Sequence, residues 1–519
     1  MKRGKSWPRI GLRISLSIAL IAAAMFVTVS SDPATAPAPG QTTTTSSTLS
    51  GRLSALHLVN YFPSDAGWQY MWTRWNPDQI DHDFAVMAGL GANAVRITVF
   101  PDVMGFPTPS ASMQSRLAQI VSMAGDHGLK VQLSLFDQFT DFTDIPGSLT
   151  WAHDLLAPLN AGAGAGSHIA FIDVRNELDA PSTMDDPQVY RWLDALIPAI
   201  KTDVPGVPVT LSVTAPSHIT AMRAALDVRP DFWDLHYYSS DGLAYTTMDE
   251  AIEAAAPQPL FVGETGFATT GDGAPPGLPA GEASLDAYQA HYYQAVEQAA
   301  LSLGLGAAAP WTLYDFTQAA IPSQQQPDQY TFGLLNTDGI PKPAAAVISQ
   351  LFHTGYVSDD FNGDFAQGVA TPQGEFPAVW RLWEPGEAQF ALDPTVGRNA
   401  PGSARISDSG GSDANVPAFY TVPVQPQIIP GQQYRVTAWV RGQAATGTTV
   451  VNVSWFNTQG VYISGSDSAG LGPGDTDWTE LEATGTAPPG AAFAEIWLKS
   501  ADNSGTAWFD DVTWMRWSA

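Results

Sequence analysis

The chain has no cysteine among its 519 residues, which excludes disulfides, thiol nucleophiles and cysteine-ligated metals. Packed cores must then supply the stability. Charge is scarce too, with Asp, Glu, Lys and Arg at 14%. Positive charge is scarcest: 23 Lys and Arg stand against 51 Asp and Glu, a net charge of −28. A phosphate backbone demands a basic face, so the balance argues against a nucleic-acid partner. The sequence holds no Gly-x-Ser-x-Gly nucleophile elbow and no His-Glu-x-x-His zinc pair. Its glycine run, Gly162-Ala-Gly-Ala-Gly166, precedes an apolar stretch instead of joining strand to helix, and so lacks the setting of a phosphate loop.

Apolar residues, at 45%, are ample for large cores, and the length points to two folded units. Lys2, Arg3, Lys5, Arg9 and Arg13 precede an apolar run over 14–29, and Ala34-Thr-Ala36 then offers a cleavage site. This layout reads as a signal peptide over 1–36, which implies a secreted, extracellular protein with no lasting membrane insertion. The run falls short of the roughly 20 residues of a spanning helix; an uncleaved anchor is the alternative. Residues 37–50, rich in Pro, Thr and Ser, read as a disordered linker.

From 51 to 355, short apolar runs alternate with segments of helical spacing. The strand candidates are 55–60, 92–99, 129–136, 170–175, 208–213, 233–238, 260–263 and 307–313. Strand then helix, eight times over, predicts an α/β fold, a (β/α)₈ TIM barrel. From 356 to 519 the helical period vanishes. Alternating segments at 434–440, 449–456, 478–483, 493–499 and 507–514, set among turn residues, predict an all-β antiparallel sandwich.

In such a barrel, chemistry gathers where the strands end at their C-termini. Those ends carry Asn60, Arg96, Asn176-Glu177, His236-Tyr-Tyr238, Glu264 and Trp311. Burying such a polar mixture costs free energy unless its members pair, so a plain core would not select it. Two glutamates across one mouth suit the retaining cleavage of a glycoside, which needs carboxyl groups roughly 5–5.5 Å apart. Glu264 is the expected nucleophile, kept ionised by Arg96 and Tyr238. Glu177 is the expected acid, its pKa raised by an apolar wall and a second carboxylate. Asn176 is placed for the sugar 2-hydroxyl, and Trp311 offers a flat face to the ring. Asp137 ends strand three and is a weaker candidate for the cleft. Trp68, Trp72 and Trp75 are either outer sugar platforms or loop packing; Asp173 and Asp315 read as structural.

These residues resemble clan A glycoside hydrolases, and family 5, the cellulase and mannanase family, most closely. The likeness spans roughly 52–350 and includes Phe332-Gly-Leu-Leu-Asn-Thr-Asp-Gly339 and Lys342-Pro343. It implies Glu177 as acid/base, Glu264 as nucleophile, and Arg96, Asn176, His236, Tyr238 and Trp311 as the substrate-binding shell. It also implies β-1,4-linked glucan or mannan as substrate. No cofactor in catalysis is expected, and the chain is expected to be a monomer. Strand three departs: where family members often place histidine, this chain reads Leu135-Phe-Asp-Gln138. Two alternatives remain: an exo-acting or transglycosylating relative working on short glycosides, and a non-catalytic polysaccharide-binding wall protein.

The C-terminal segments Asp360-Phe-Asn-Gly-Asp-Phe365 and Ala507-Trp-Phe-Asp-Asp511 resemble the ends of carbohydrate-binding β-sandwich modules. That likeness implies a structural calcium on Asp364 and Asp511. Trp380, Trp383, Trp455 and Trp497 are expected in the sandwich core rather than at a ligand.

Overall fold

The computed structural model describes residues 49–519 except 162–167, 271–277, 279–280, 322–326, 356, 358–360, 373, 384–385, 410–415, 422–427, 458–459 and 518–519. The expected signal peptide, nearly all of the linker, the glycine run after Gly162 begins and Asp360 lie outside the described residues. Among the described residues no helix is long and apolar enough to cross a membrane. Leu49 and Ser50, expected in the linker, are helical, because Leu49 finds apolar cover against the closed end of the barrel.

Seven parallel strands form one sheet in sequence order: β1 (Leu58–Asn60), β2 (Ala94–Thr98), β3 (Lys130–Ser134), β4 (Ile169–Asp173), β5 (Val209–Val213), β6 (Phe232–Tyr237) and β7 (Leu260–Thr265). The eighth expected strand is no regular strand, since Pro310 has no N–H to give a ladder. Its segment still closes the barrel. Trp311 N donates to Thr265 O (2.7 Å) on β7, and Leu313 N to Asn60 O (3.1 Å) on β1. Long helices cover the outside, among them α1 (Pro77–Gly89), α2 (Ala111–Asp126), α3 (Ile145–Ala161), α4 (Pro187–Asp203), α5 (Pro216–Ala225), α6 (Ala244–Ala255), α7 (Glu282–Ser302) and α8 (Pro343–Thr354). Asn76 and Ser110 cap α1 and α2 with side-chain oxygens, the local signal that starts each helix where it does.

Alternation along the strands sorts the barrel interior into layers. An apolar plug of Leu58, Ala94, Phe171, Phe232, Phe261 and Ala309 fills the N-terminal end. Two residues further along, Asn60, Arg96, Asp173 and Asp234 form a buried polar layer. The next positions open to the mouth. Plain alternation would send Gly263 inward and Glu264 outward. A register shift opposite Leu235 and His236 pairs His236 with Glu264 instead and brings the carboxyl to the barrel side. Gly263 permits this, because a Cβ there would stand 2.3 Å from the Asp234 carboxylate.

The C-terminal region holds two five-stranded antiparallel sheets. One centres on Gln433–Ala445 and Thr506–Trp517, the other on Thr448–Phe456 and Phe493–Ala501. Their inner faces share a core that includes Phe365, Trp380, Tyr434, Trp455 and Phe509. Of the four tryptophans expected there, Trp380 and Trp455 are buried, whereas Trp383 is 41% exposed and meets Trp497 edge to face.

Candidate active site

The mouth of the barrel opens into a cavity of about 1300 Å³ lined by both glutamates and by every other expected site residue, Arg96, Asn176, His236, Tyr238 and Trp311. Glu177 follows the apolar strand β4 in a turn, and its φ of +44° is a left-handed conformation that costs a non-glycine residue free energy. Its N–H donates to Ser212 Oγ (3.0 Å), which fixes the turn.

His236 stands between the two acids. Its Nδ1 lies 2.9 Å from Glu177 Oε1 and 3.4 Å from Glu264 Oε1. Carboxylate oxygens of the two glutamates approach within 4.8 Å of each other. Glu264 is 5% exposed, takes a hydrogen bond from Tyr238 Oη (2.7 Å) and is ion-paired with Arg96. Tyr238, not Tyr237, reaches the cleft; desolvation and the Glu177 charge push its phenol well above the usual tyrosine value, so it stays a neutral donor. Arg96 also donates to Asn60 Oδ1 (3.2 Å) and Asn176 Oδ1 (2.7 Å) and lies 3.5 Å from Asp173. Its guanidinium thereby fixes Asn176 with the amide oxygen turned inward, leaving the NH₂ group to donate.

The pKa of Glu177 shifts against expectation. Burial pushes its pKa up, but the hydrogen bond and charge of His236, with Arg96 and Arg175, outweigh that and hold it below the ordinary glutamate value. The expected raised pKa neglected the imidazole, which the fold sets against the carboxylate. Asp137 does line the cleft, and burial lifts it to about 6 despite Arg175 and Arg96.

The remaining candidates divide. Trp68 lines the cavity and stands edge-on to Trp311, with ring centres 6.0 Å apart. Trp72 is fully buried, donating to Thr98 O (2.9 Å), and the half-buried Trp75 stacks on it; neither lines the cavity. Asp315 accepts from Lys342 (2.8 Å) and from Gly333 N (2.8 Å), a structural tie. Asp173, expected to be structural, belongs to the polar layer beneath the site. Tyr288, Tyr292, Phe332 and Arg381 also line the cavity and were missed. Only Phe332 lay in a noted motif; the others sit on a helix and on a sandwich strand, where strand-end reasoning does not look.

Asp364 and Asp511 share a second cavity, of about 420 Å³, in the sandwich. The residues there do not fit calcium, which seeks six to eight oxygen ligands. Asp511 already accepts from Arg398 Nη1 (2.7 Å) and Asn399 Nδ2 (2.7 Å), and the Arg398 guanidinium lies over the Trp439 ring at 3.5 Å. A fixed cation thus occupies the place that the sequence likeness assigned to a metal. Asp364 is turned to its own loop, accepting from Ala366 N (3.2 Å).

No family model matches the chain, and no curated protein matches it either. Solved structures similar to it include an exo-β-1,4-mannosidase from Opitutaceae bacterium strain TAV5, at 22% identity over 57% of this chain, with a TM-score of 0.46. The chain spans 58% of that protein's length. A GH5_18 protein from Streptomyces cattleya in complex with GlcNAc is similar at 20% identity over 58% of this chain and 80% of its own, with a TM-score of 0.46. A β-glucosidase, 1317, is similar at 14% identity over 60% and 95%, with a TM-score of 0.42. The structures that resemble this chain therefore include glycoside hydrolases.

Proposed function

We propose that this chain is a retaining β-glycoside hydrolase. One observation carries the reading: carboxylate oxygens of Glu177 and Glu264 lie within 4.8 Å of each other at the mouth of the barrel. That approach suits direct attack on a sugar; an inverting pair stands roughly 6.5–9.5 Å apart to admit a water. Glu264 attacks the anomeric carbon while Glu177 gives its proton to the departing glycosidic oxygen. The carbon–oxygen bond to the leaving group breaks, and a glycosyl ester forms on Glu264. Glu177, now a carboxylate, takes a proton from water, whose oxygen displaces Glu264 and frees the sugar.

The lowered pKa of Glu177 suits the second half of this cycle. Once Glu264 is esterified its negative charge is gone, which lowers the neighbour further and favours the base. For the first half, sugar filling the cleft excludes water and raises Glu177 toward the acid form. Arg96 and Tyr238 hold the Glu264 carboxylate in place, and Asn176 donates to the sugar.

β-1,4-Linked glucan or mannan is the proposed substrate class, and secretion the proposed fate, the latter supported by the basic, apolar and small-residue order of the first 36 residues. The test is incubation with a panel of β-linked polysaccharides and short glycosides, reading the anomer of the first product by NMR and the product sizes. Retained configuration with a peptide-mapped adduct on Glu264 from a 2-deoxy-2-fluoro glycoside supports the mechanism. An inverted product sinks it, and binding without any turnover leaves the wall-binding alternative.

A further inference from the structure

Among the described residues, those lining the active-site cavity come from the barrel region except Arg381, on the sandwich strand Arg381–Trp383. Arg381 is 8% exposed, unusual for so strong a cation unless it is paired. Its Nη2 donates to Tyr288 Oη (2.8 Å) and lies 3.8 Å from Asp241 Oδ2, while its guanidinium carbon stands 4.8 Å from the centre of the Tyr288 ring. Both partners are tied to the reacting groups. Asp241 ends the loop that leaves β6 through Tyr238, the donor to Glu264, and its Oδ1 accepts from Ser240 Oγ (3.1 Å) and Gly242 N (3.0 Å). Tyr237 Oη donates to Ser240 O within the same loop. Tyr288, on α7, meets Phe267 edge to face with ring centres 4.7 Å apart, and Phe267 follows Glu264 on the loop leaving β7. One guanidinium therefore touches the supports of the β6 loop and the β7 loop together.

We propose that Arg381 is a positioning residue of the active site: through it the sandwich holds these two loops so that Tyr238 keeps its hydrogen bond to Glu264. The sandwich is then a wall of the catalytic cleft and not a detachable appendage. This inference rests on the glycosidase reading and deepens it. A merely adhesive Arg381 would stabilise the junction and leave the chemistry alone. A positioning Arg381 acts on the nucleophile through Tyr238, so its loss must be coupled to the loss of the Tyr238 hydroxyl.

The test is a double-mutant cycle on the full-length chain with Arg381→Met and Tyr238→Phe, measuring kcat and KM on the substrate identified by the panel, well below the unfolding temperature. The expected result is a fall of about tenfold or more in kcat/KM for Arg381→Met, carried mainly by kcat. The double variant should lose little more than Tyr238→Phe alone. Values within twofold of the parent, or losses that simply multiply, overturn the inference even if the melting temperature drops. Arg381→Lys keeps the charge but gives up the planar fork, and is expected to recover only part of the rate. Should Arg381→Met fail to fold, Arg381→Lys and Asp241→Asn enter the same cycle and are judged by the same outcomes. The parent and Glu264→Gln run alongside. A parent without activity on any glycoside sinks the glycosidase reading itself, whereas an active parent with a fully active Arg381→Met sinks only the role of Arg381.

Discussion

The barrel and the sandwich each bring carboxylates and an arginine to the wall of a cavity, and they use them in opposite ways. In the sandwich, Arg398 pairs with Asp511 and lies on Trp439, so its charge is answered and one ring face covered. In the barrel, Arg96 spreads its donors over Asn60, Asn176, Asp173 and Glu264, while Glu177 faces the cavity with its side chain 34% exposed beside His236. The first arrangement spends its polar groups on each other. The second leaves two carboxylates a few ångströms apart, one nearly buried and one open, with an imidazole between them. Reactivity needs that incompleteness, since a fully paired acid has nothing left for a substrate.

Four changes would break or sharpen this contrast. Glu264→Gln removes the nucleophile and should lower kcat by at least about 10³-fold on any substrate, read by initial rates, with little effect on the melting temperature. Arg96→Met should cost both properties. It leaves Asp173 and Glu264 without their cation in the barrel interior, so we expect about 3–5 kcal/mol lost in denaturant unfolding, with activity falling steeply. An Arg96→Met variant of unchanged stability would show that the barrel carboxylates do not depend on it.

His236→Gln tests the charge balance. Its imidazole lowers the pKa of Glu177, so without it that pKa rises. The acid step needs protonated Glu177, and the basic limb of kcat/KM should therefore move to higher pH, with kcat down about 10–100-fold. A basic limb that stays put or moves down contradicts the geometry. Arg398→Ala gives the smallest effect: about 1 kcal/mol of stability, from one partly exposed ion pair and its ring contact, and unchanged kcat and KM. Millimolar calcium should leave the melting temperature of the parent where it is. A clear rise would restore the metal reading of Asp364 and Asp511.

Much of the barrel was legible because its signals are local. Apolar runs such as that of β4, ending in Asn176-Glu177, announce a strand and the polar group at its tip within eight residues of sequence. The five sandwich strands read from alternation were legible in the same way, whereas shorter ones such as Arg381–Trp383, Ala404–Ser407 and Ala418–Tyr420 are too brief to show a period. The eighth strand was overread, because its apolar composition hid what Pro310 does to a ladder. Trp72 stayed open between platform and packing because tryptophans near a strand end are ambiguous until burial is known. Arg381 was invisible for a different reason: it belongs to another layer of the molecule, and only packing brings it to the cleft.

The sequence by itself determined which side chains the barrel would present at its mouth, because strand periodicity and strand ends are short-range properties of the chain. Tertiary structure decided what those side chains do there. A register shift beside Gly263 turned Glu264 toward its partner, His236 reversed the expected direction of the Glu177 pKa shift, and Arg398 paired with Asp511. Each depends on distances between residues far apart in the chain. Electrostatic energy and desolvation are sums over such distances, and no local pattern contains them.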